Sequence, residues 1–308
     1  MDQEIGEFLR ARRSRIRPEE LGLPSYGRRR VAGLRREELA QAAGVSVDYY
    51  IRLEQGRGSA VSDAVLDAVA RVLRLDPTEH EHLRNLARPG PRRLVRGGTA
   101  AVRPGLQRML DTATDAPAFI LGRRMDILAW NRLADAVSDF QALPVAERNA
   151  ARHTFLHPDA PEFYPDWAAV AAETVAYLRL DAGRHPDDRR LATLVGELSM
   201  NSEAFRLLWA RHDVKEKTHG IKWIHHPVVG ELRFDYETFA PPGDPDLLLV
   251  VYTAQSGSPT EERLRLLASW TAPQAQDERS APPNRSPRRG ASSDGSSQWH
   301  DSRRHDRG

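Results

Sequence analysis

The chain has no cysteine in 308 residues. Disulfide scaffolds, Cys-ligated zinc, iron–sulfur clusters and thiol catalysis are therefore excluded. Lysine is almost missing too: Lys215, Lys217 and Lys222 are the only three among 45 basic side chains. Arginine is used so freely that an isolated one carries little weight. No apolar run approaches the roughly 20 residues that span a bilayer. The acidic, amphipathic start Met1–Glu7 lacks the basic-then-apolar order of a secretory signal. A soluble, cytoplasmic protein with no membrane association is expected. Enzyme signatures are missing as well: no Gly-x-x-x-x-Gly-Lys loop, no Gly-x-Ser-x-Gly elbow and no His-Glu-x-x-His pair occurs. Neither enzymatic activity nor a cofactor is expected.

What is present fits a multidomain chain. Its length exceeds one typical domain, and 40% hydrophobic residues permit real cores. The net charge of +2 hides an asymmetry. Residues 1–98 carry 19 Arg against 14 acids, residues 99–270 carry 19 Lys and Arg against 24 acids, and residues 271–308 carry 7 Arg against 5 acids. A basic head beside an acidic body suits a DNA-binding module joined to something that does not bind DNA.

The most informative stretch is Arg35 to Gly56. Leu39, Ala40 and Ala43 recur at helical spacing, and Gly44 suits the left-handed position that ends a helix. Ser46 is a good N-cap for a second helix, in which Val47, Tyr50 and Leu53 continue an apolar stripe. Two short helices hinged on Ala-Gly-Val predict a helix-turn-helix, whose second helix enters the DNA major groove. An N-terminal helix is predicted from Asp2 to Arg15, with Ile5, Phe8 and Leu9 on one face and Arg10, Arg12, Arg13 and Arg15 mostly on the other. Val61, Val65, Leu66, Val69 and Leu73 form another helical stripe, and Pro77 opens a further helix through Leu86. The segment with Glu-Glu-Leu-Ala, Ala-Gly-Val and Leu-Glu-x-Gly closely resembles the phage-repressor-like Xre family. That resemblance implies an all-α, five-helix head over residues 1–88, with a first connection through 17–34 longer than in compact repressors.

The resemblance also supplies site candidates. Positions 47, 48 and 52 match those that commonly read base edges in the family, with Tyr49 close by. Arg52 suits guanine, Asp48 suits cytosine and Val47 suits a thymine methyl. Arg52 serving only phosphate or an acid, and Asp48 serving only the helix start, remain open alternatives. Arg28, Arg29, Arg30, Arg35, Arg36, Ser46 and Arg57 are candidates for phosphate. The expected partner is a double-stranded DNA operator, contacted by a homodimer because two half-sites need two recognition helices.

Residues 89–103 read as a Pro/Gly/Arg linker. Beyond it, Leu106, Met109 and Leu110 predict a helix, and 118–121 and 125–130 predict two strands around Gly122-Arg123-Arg124. Helical patterns fill 131–209, strands return at 221–225, 230–236 and 247–252, and a helix runs from Pro259 to Trp270. This order predicts an α+β domain over 104–270 with a largely antiparallel sheet, the continuous apolar run 247–252 lying centrally. Gly122–Asn131, Arg148-Asn149, Tyr164–Trp167, Leu208–Val214 and Leu249–Ala254 together resemble the MmyB-like ligand-binding domain, a PAS-like sensor. The resemblance implies a small apolar ligand, a fatty acid among the options. Trp130, Phe155, Trp167, Met200 and Trp209 are candidate walls, with Asn131 and Arg148 as polar partners. A dimerisation or docking platform without a ligand is the competing reading, and an enzyme with a DNA-binding head is a remoter one. His153 and His157 share a helical spacing but lack an evident third metal ligand, so no metal site is expected. Residues 271–308, rich in Pro, Ser, Arg and Gly, are expected to be disordered.

Overall fold

Local capping chemistry sets where the helices of the head begin and end. In the computed structural model, which describes residues 2–23, 33–57, 61–88 and 101–271, α1 spans Asp2–Arg13 and α2 spans Arg36–Ala43. Gly44 closes α2 at φ 69°, its N–H reaching back to the carbonyls of Ala40 and Gln41. The Ser46 side chain then accepts the Tyr49 N–H and opens α3, Val47–Glu54. Ser62 opens α4, Asp63–Val72, and an Asp76–Glu79 capping box with Pro77 opens α5, Pro77–Ala87. Phe8, Leu9, Leu39, Tyr50, Leu66, Val69 and Leu83 interlock as the core of this head, which has five α-helices among the described residues. Arg28, Arg29 and Arg30 lie outside the described residues, as do most of the expected linker and nearly all of the expected tail.

The body begins with α6, Pro104–Thr112. Strands β1 (Ala118–Gly122), β2 (Ile127–Trp130), β3 (His219–His226), β4 (Gly230–Phe239) and β5 (Leu247–Thr253) form one antiparallel sheet in the order β2-β1-β5-β4-β3. The apolar run of β5 is central, as its continuity predicts. Between β2 and β3 come α7 (Arg132–Ser138), α8 (Ala150–Leu156), α9 (Ala160–Phe163), α10 (Trp167–Arg184), α11 (Arg189–Asn201) and α12 (Glu203–Trp209). The closing helix α13, Pro259–Thr271, packs with α7 against the sheet. Alternation sorts the strands. Phe119, Leu121, Val250 and Tyr252 face the side that carries α7 and α13, while Ala118, Ile120 and Leu249 meet the apolar residues of α6.

Two features depart from the periodicity of the sequence. Leu180 and Val214 of the body belong to the same apolar core as α1 and α5, so head and body share packing. Arg12 is buried instead of exposed with its neighbours, because the body covers that face of α1. It donates to the His212 carbonyl at 2.9 Å and pairs with Glu79 at 2.8 Å.

Candidate DNA-contacting helix and ligand cavity

Tyr50 and Leu53 anchor α3 in the head core, which turns the opposite stripe outward. Asp48 and Arg52 are exposed on that stripe, and Tyr49 is half-buried with the Arg52 guanidinium 5.9 Å from its ring centre. Val47, expected to continue the apolar stripe, is exposed instead, because it opens the helix and no neighbour among the described residues covers it. Of the phosphate candidates, Arg35, Arg36, Ser46 and Arg57 are exposed. Arg36 is drawn aside to the buried Glu54 carboxylate, 2.8 Å away, which Arg13 also approaches at 3.3 Å. Arg36 therefore holds α2 to the end of α3 whatever else it contacts.

A cavity lies between the sheet and the helical block. Phe119, Leu121, Ile224, Tyr236 and Tyr252 line it from the sheet, and Val170, Glu173, Thr174 and Tyr177 from α10. His153, Phe163 and Tyr164 add an aromatic wall, and Lys215, Lys217 and Lys222 bring amines. The space is narrow: about 70 Å³ admits the centre of a water molecule, within about 910 Å³ counted out to the open mouth. Lys215 donates to Glu173 at 2.5 Å. The Lys217 and Lys222 amines instead sit over the rings of Tyr236 and Tyr164, 4.6 and 4.5 Å from their centres. Burial, then the nearby Lys217, pull Lys222 down to about 7, and burial lowers Lys217 as well. Burial, with His157 and Lys222 nearby, holds His153 down at about 4. Burial also raises the phenols of Tyr164 and Tyr252. The result is a largely apolar slot in which Glu173 answers Lys215, while Lys217 and Lys222 rest on aromatic rings.

Residues 102–267 match the family described as the MmyB-like transcription regulator ligand binding domain, and residues 4–83 match a helix-turn-helix domain. The chain belongs to the MmyB-like transcription regulators. It couples a helix-turn-helix DNA-binding domain to a ligand-sensing domain. Comparison with curated proteins gave no match.

The seven cavity candidates drawn from the sequence of this MmyB-like domain lie elsewhere. Asn131 is buried and fully engaged: it caps α7 and bonds the backbone of Ala113, Ala116 and Ala118. Arg148 donates to the carbonyls of Phe140, Gln141 and Leu143 and lies over Trp130. Trp167 donates to the Thr154 carbonyl and meets Phe155 edge-on. Trp209 stacks on Phe205 beneath Arg179, and Met200 is exposed. Large aromatics at helical spacing mark a core as readily as a cavity wall. The available signal is the placement of all three lysines within residues 215–222, which composition alone reads only as a mark of arginine richness.

Two walls of the cavity also touch the head. On α10, Val170, Glu173, Thr174 and Tyr177 face the cavity, and within the next two turns Leu180 enters the head core and Gly183 abuts His82. Residues 211–217 behave likewise. Arg15 donates to the Arg211 carbonyl at 2.7 Å and pairs with Asp213 at 2.8 Å, and Lys215, Glu216 and Lys217 then line the cavity. Arg184 joins the two sides, bonding Glu216 at 2.6 Å and Glu81 of α5 at 3.3 Å.

Proposed function

We propose that this regulator is a cytoplasmic, non-enzymatic protein in which residues 1–88 bind an operator as a homodimer and residues 104–270 sense a slim apolar molecule. Fatty acids are one class to test, since an alkyl chain suits the narrow apolar slot and Lys217 or Lys222 would meet an acidic head group. Val47, Asp48, Tyr49 and Arg52 are the proposed base readers, supported by the exposure of Val47, Asp48 and Arg52 on α3, with Arg35, Arg36, Ser46 and Arg57 toward phosphate.

The observation that carries this reading is the double use of α10 and residues 211–217, which wall the cavity and pack against the head. A ligand alters DNA binding only if it prefers one head–body arrangement over another, and shared elements supply that difference. A series of straight-chain fatty acids, added to the full chain, tests it. At a hundredfold excess over Kd, binding to the native state alone adds roughly 2.7 kcal/mol, visible as a raised Tm. Operator affinity should change alongside. Thr174→Trp, which fills the cavity from α10, should lose both effects. A protein that ignores every apolar compound yet dimerises through its body would restore the platform reading.

A further inference from the structure

The distribution of lysine singles out one amine. Among 45 basic side chains only three are lysines, and all three line the same cavity. Lys215 is answered by Glu173. Among the described residues, the Lys217 and Lys222 amines have aromatic rings beneath them and no hydrogen-bond or ion-pair partner. A site needing only positive charge would be served by arginine, which this chain uses everywhere else and whose planar fork grips a carboxylate in two places. What a guanidinium lacks is a neutral state. An amine enclosed by apolar walls beside a second cation sheds its proton readily and becomes a nucleophile. Lys222 is brought to about 7, so its neutral fraction at neutral pH exceeds that of an ordinary lysine on the order of a thousandfold.

We propose that Lys222 captures a slim aliphatic aldehyde in the cavity as a reversible imine. This rests on the ligand-sensing reading of the body and names a ligand class for it. The Lys222 Nζ lone pair attacks the carbonyl carbon and forms a C–N bond, while the carbonyl π pair moves to oxygen and takes up a proton. The carbinolamine then loses its hydroxyl group as water, with one proton from solvent, and the nitrogen gives up its two protons as the C=N bond forms. No oxidant or reductant is consumed. Water reverses the step, which suits a sensor that must release its signal. The narrow bore accommodates an unbranched chain, with Phe119, Ile224 and Tyr252 along its apolar walls.

Decanal is the probe. The full chain is incubated with decanal and cyanoborohydride near neutral pH, digested, and mapped by mass spectrometry, which reads the reduced imine as one decyl group on one amine. Lys222 should carry at least about tenfold more label than Lys215, which lines the same cavity but is paired with Glu173. Lys222→Arg should lose the cavity label and the decanal-induced change in operator affinity, while its operator affinity without decanal stays that of the wild-type chain. Mapping the wild-type chain decides the matter even if that variant folds poorly. Equal labelling of all amines, or label concentrated on Lys217, overturns the assignment. If decanoate binds but decanal is never trapped, imine capture is wrong and ligand sensing stands. If neither compound binds, both readings fall.

Discussion

Arg36 and Arg52 both belong to the helix-turn-helix, but their surroundings give them different freedom. Arg36 is held by the buried Glu54 carboxylate, so its removal would disturb the packing of α2 on α3 as well as any DNA contact. Arg52 is exposed and, among the described residues, has only the Tyr49 ring beside it. It is therefore the cleaner probe. Arg52→Ala should leave the Tm unchanged and weaken specific operator binding by roughly 1–3 kcal/mol, relaxing preference at one base pair. Binding to a panel of single-base operator variants measures this. Uniform weakening across the panel would make Arg52 a phosphate contact, and unchanged affinity would remove it from the interface.

At the scale of the element, α10 is a wall with two sides, and one glycine makes it so. At Gly183 a Cβ would overlap the buried His82 ring of α5, so the close approach of α10 to the head needs a residue without a side chain. Gly196 on α11 is the contrasting case, exposed with nothing near the place its Cβ would take. Gly183→Ala should destabilise the chain by about 1–3 kcal/mol through overpacking, and should loosen α5 from the body. Gly196→Ala should stabilise it by about 0.5–1 kcal/mol through helix propensity alone. Chemical denaturation compares the two, and faster hydrogen exchange confined to α5 and the end of α10 locates the first effect. Two substitutions of the same sign would show that the contact of Gly183 with His82 is not close in solution.

For the whole molecule, the seam between head and body is built from histidines kept neutral among arginines. Burial, with Arg179, Arg12, His212 and Arg184 nearby, lowers His82 to about 3, and burial with Arg179, Arg12, Arg10 and Arg15 lowers His212 to about 4. Burial also brings Arg179 down to about 10. An unfolded histidine titrates near 6.5, so below that pH the unfolded chain binds protons that the folded chain refuses. Stability is therefore insensitive to these groups above about 6.5 and falls as pH drops from there toward 4, with His153 adding in the same direction. Denaturation between about pH 7 and 5 should show this slope, and His82→Gln should flatten it by up to about one proton. An identical slope in the variant would mean that His82 titrates normally and that the seam is open to water.

Features written into short stretches were legible without the fold. Gly44 ends a helix and Ser46 begins the next because caps act on backbone groups within four residues. Leu232, Phe234 and Tyr236 alternate with charged residues because a strand turns successive side chains to opposite faces. The helix-turn-helix, the exposure of Asp48 and Arg52, and the strands all follow from such local rules. The cavity does not, because Phe119, His153, Lys222 and Tyr252 come together only when the sheet closes against the helical block. Nor does the burial of Arg12: helical period gives the direction of a side chain, and the body packed against α1 decides whether that direction meets solvent. Trp130 and Trp209 looked as suitable for a cavity as Tyr164 does, since aromatic character is common to walls and cores. Only tertiary packing separates the two, because a cavity is space that side chains distant in sequence leave unfilled.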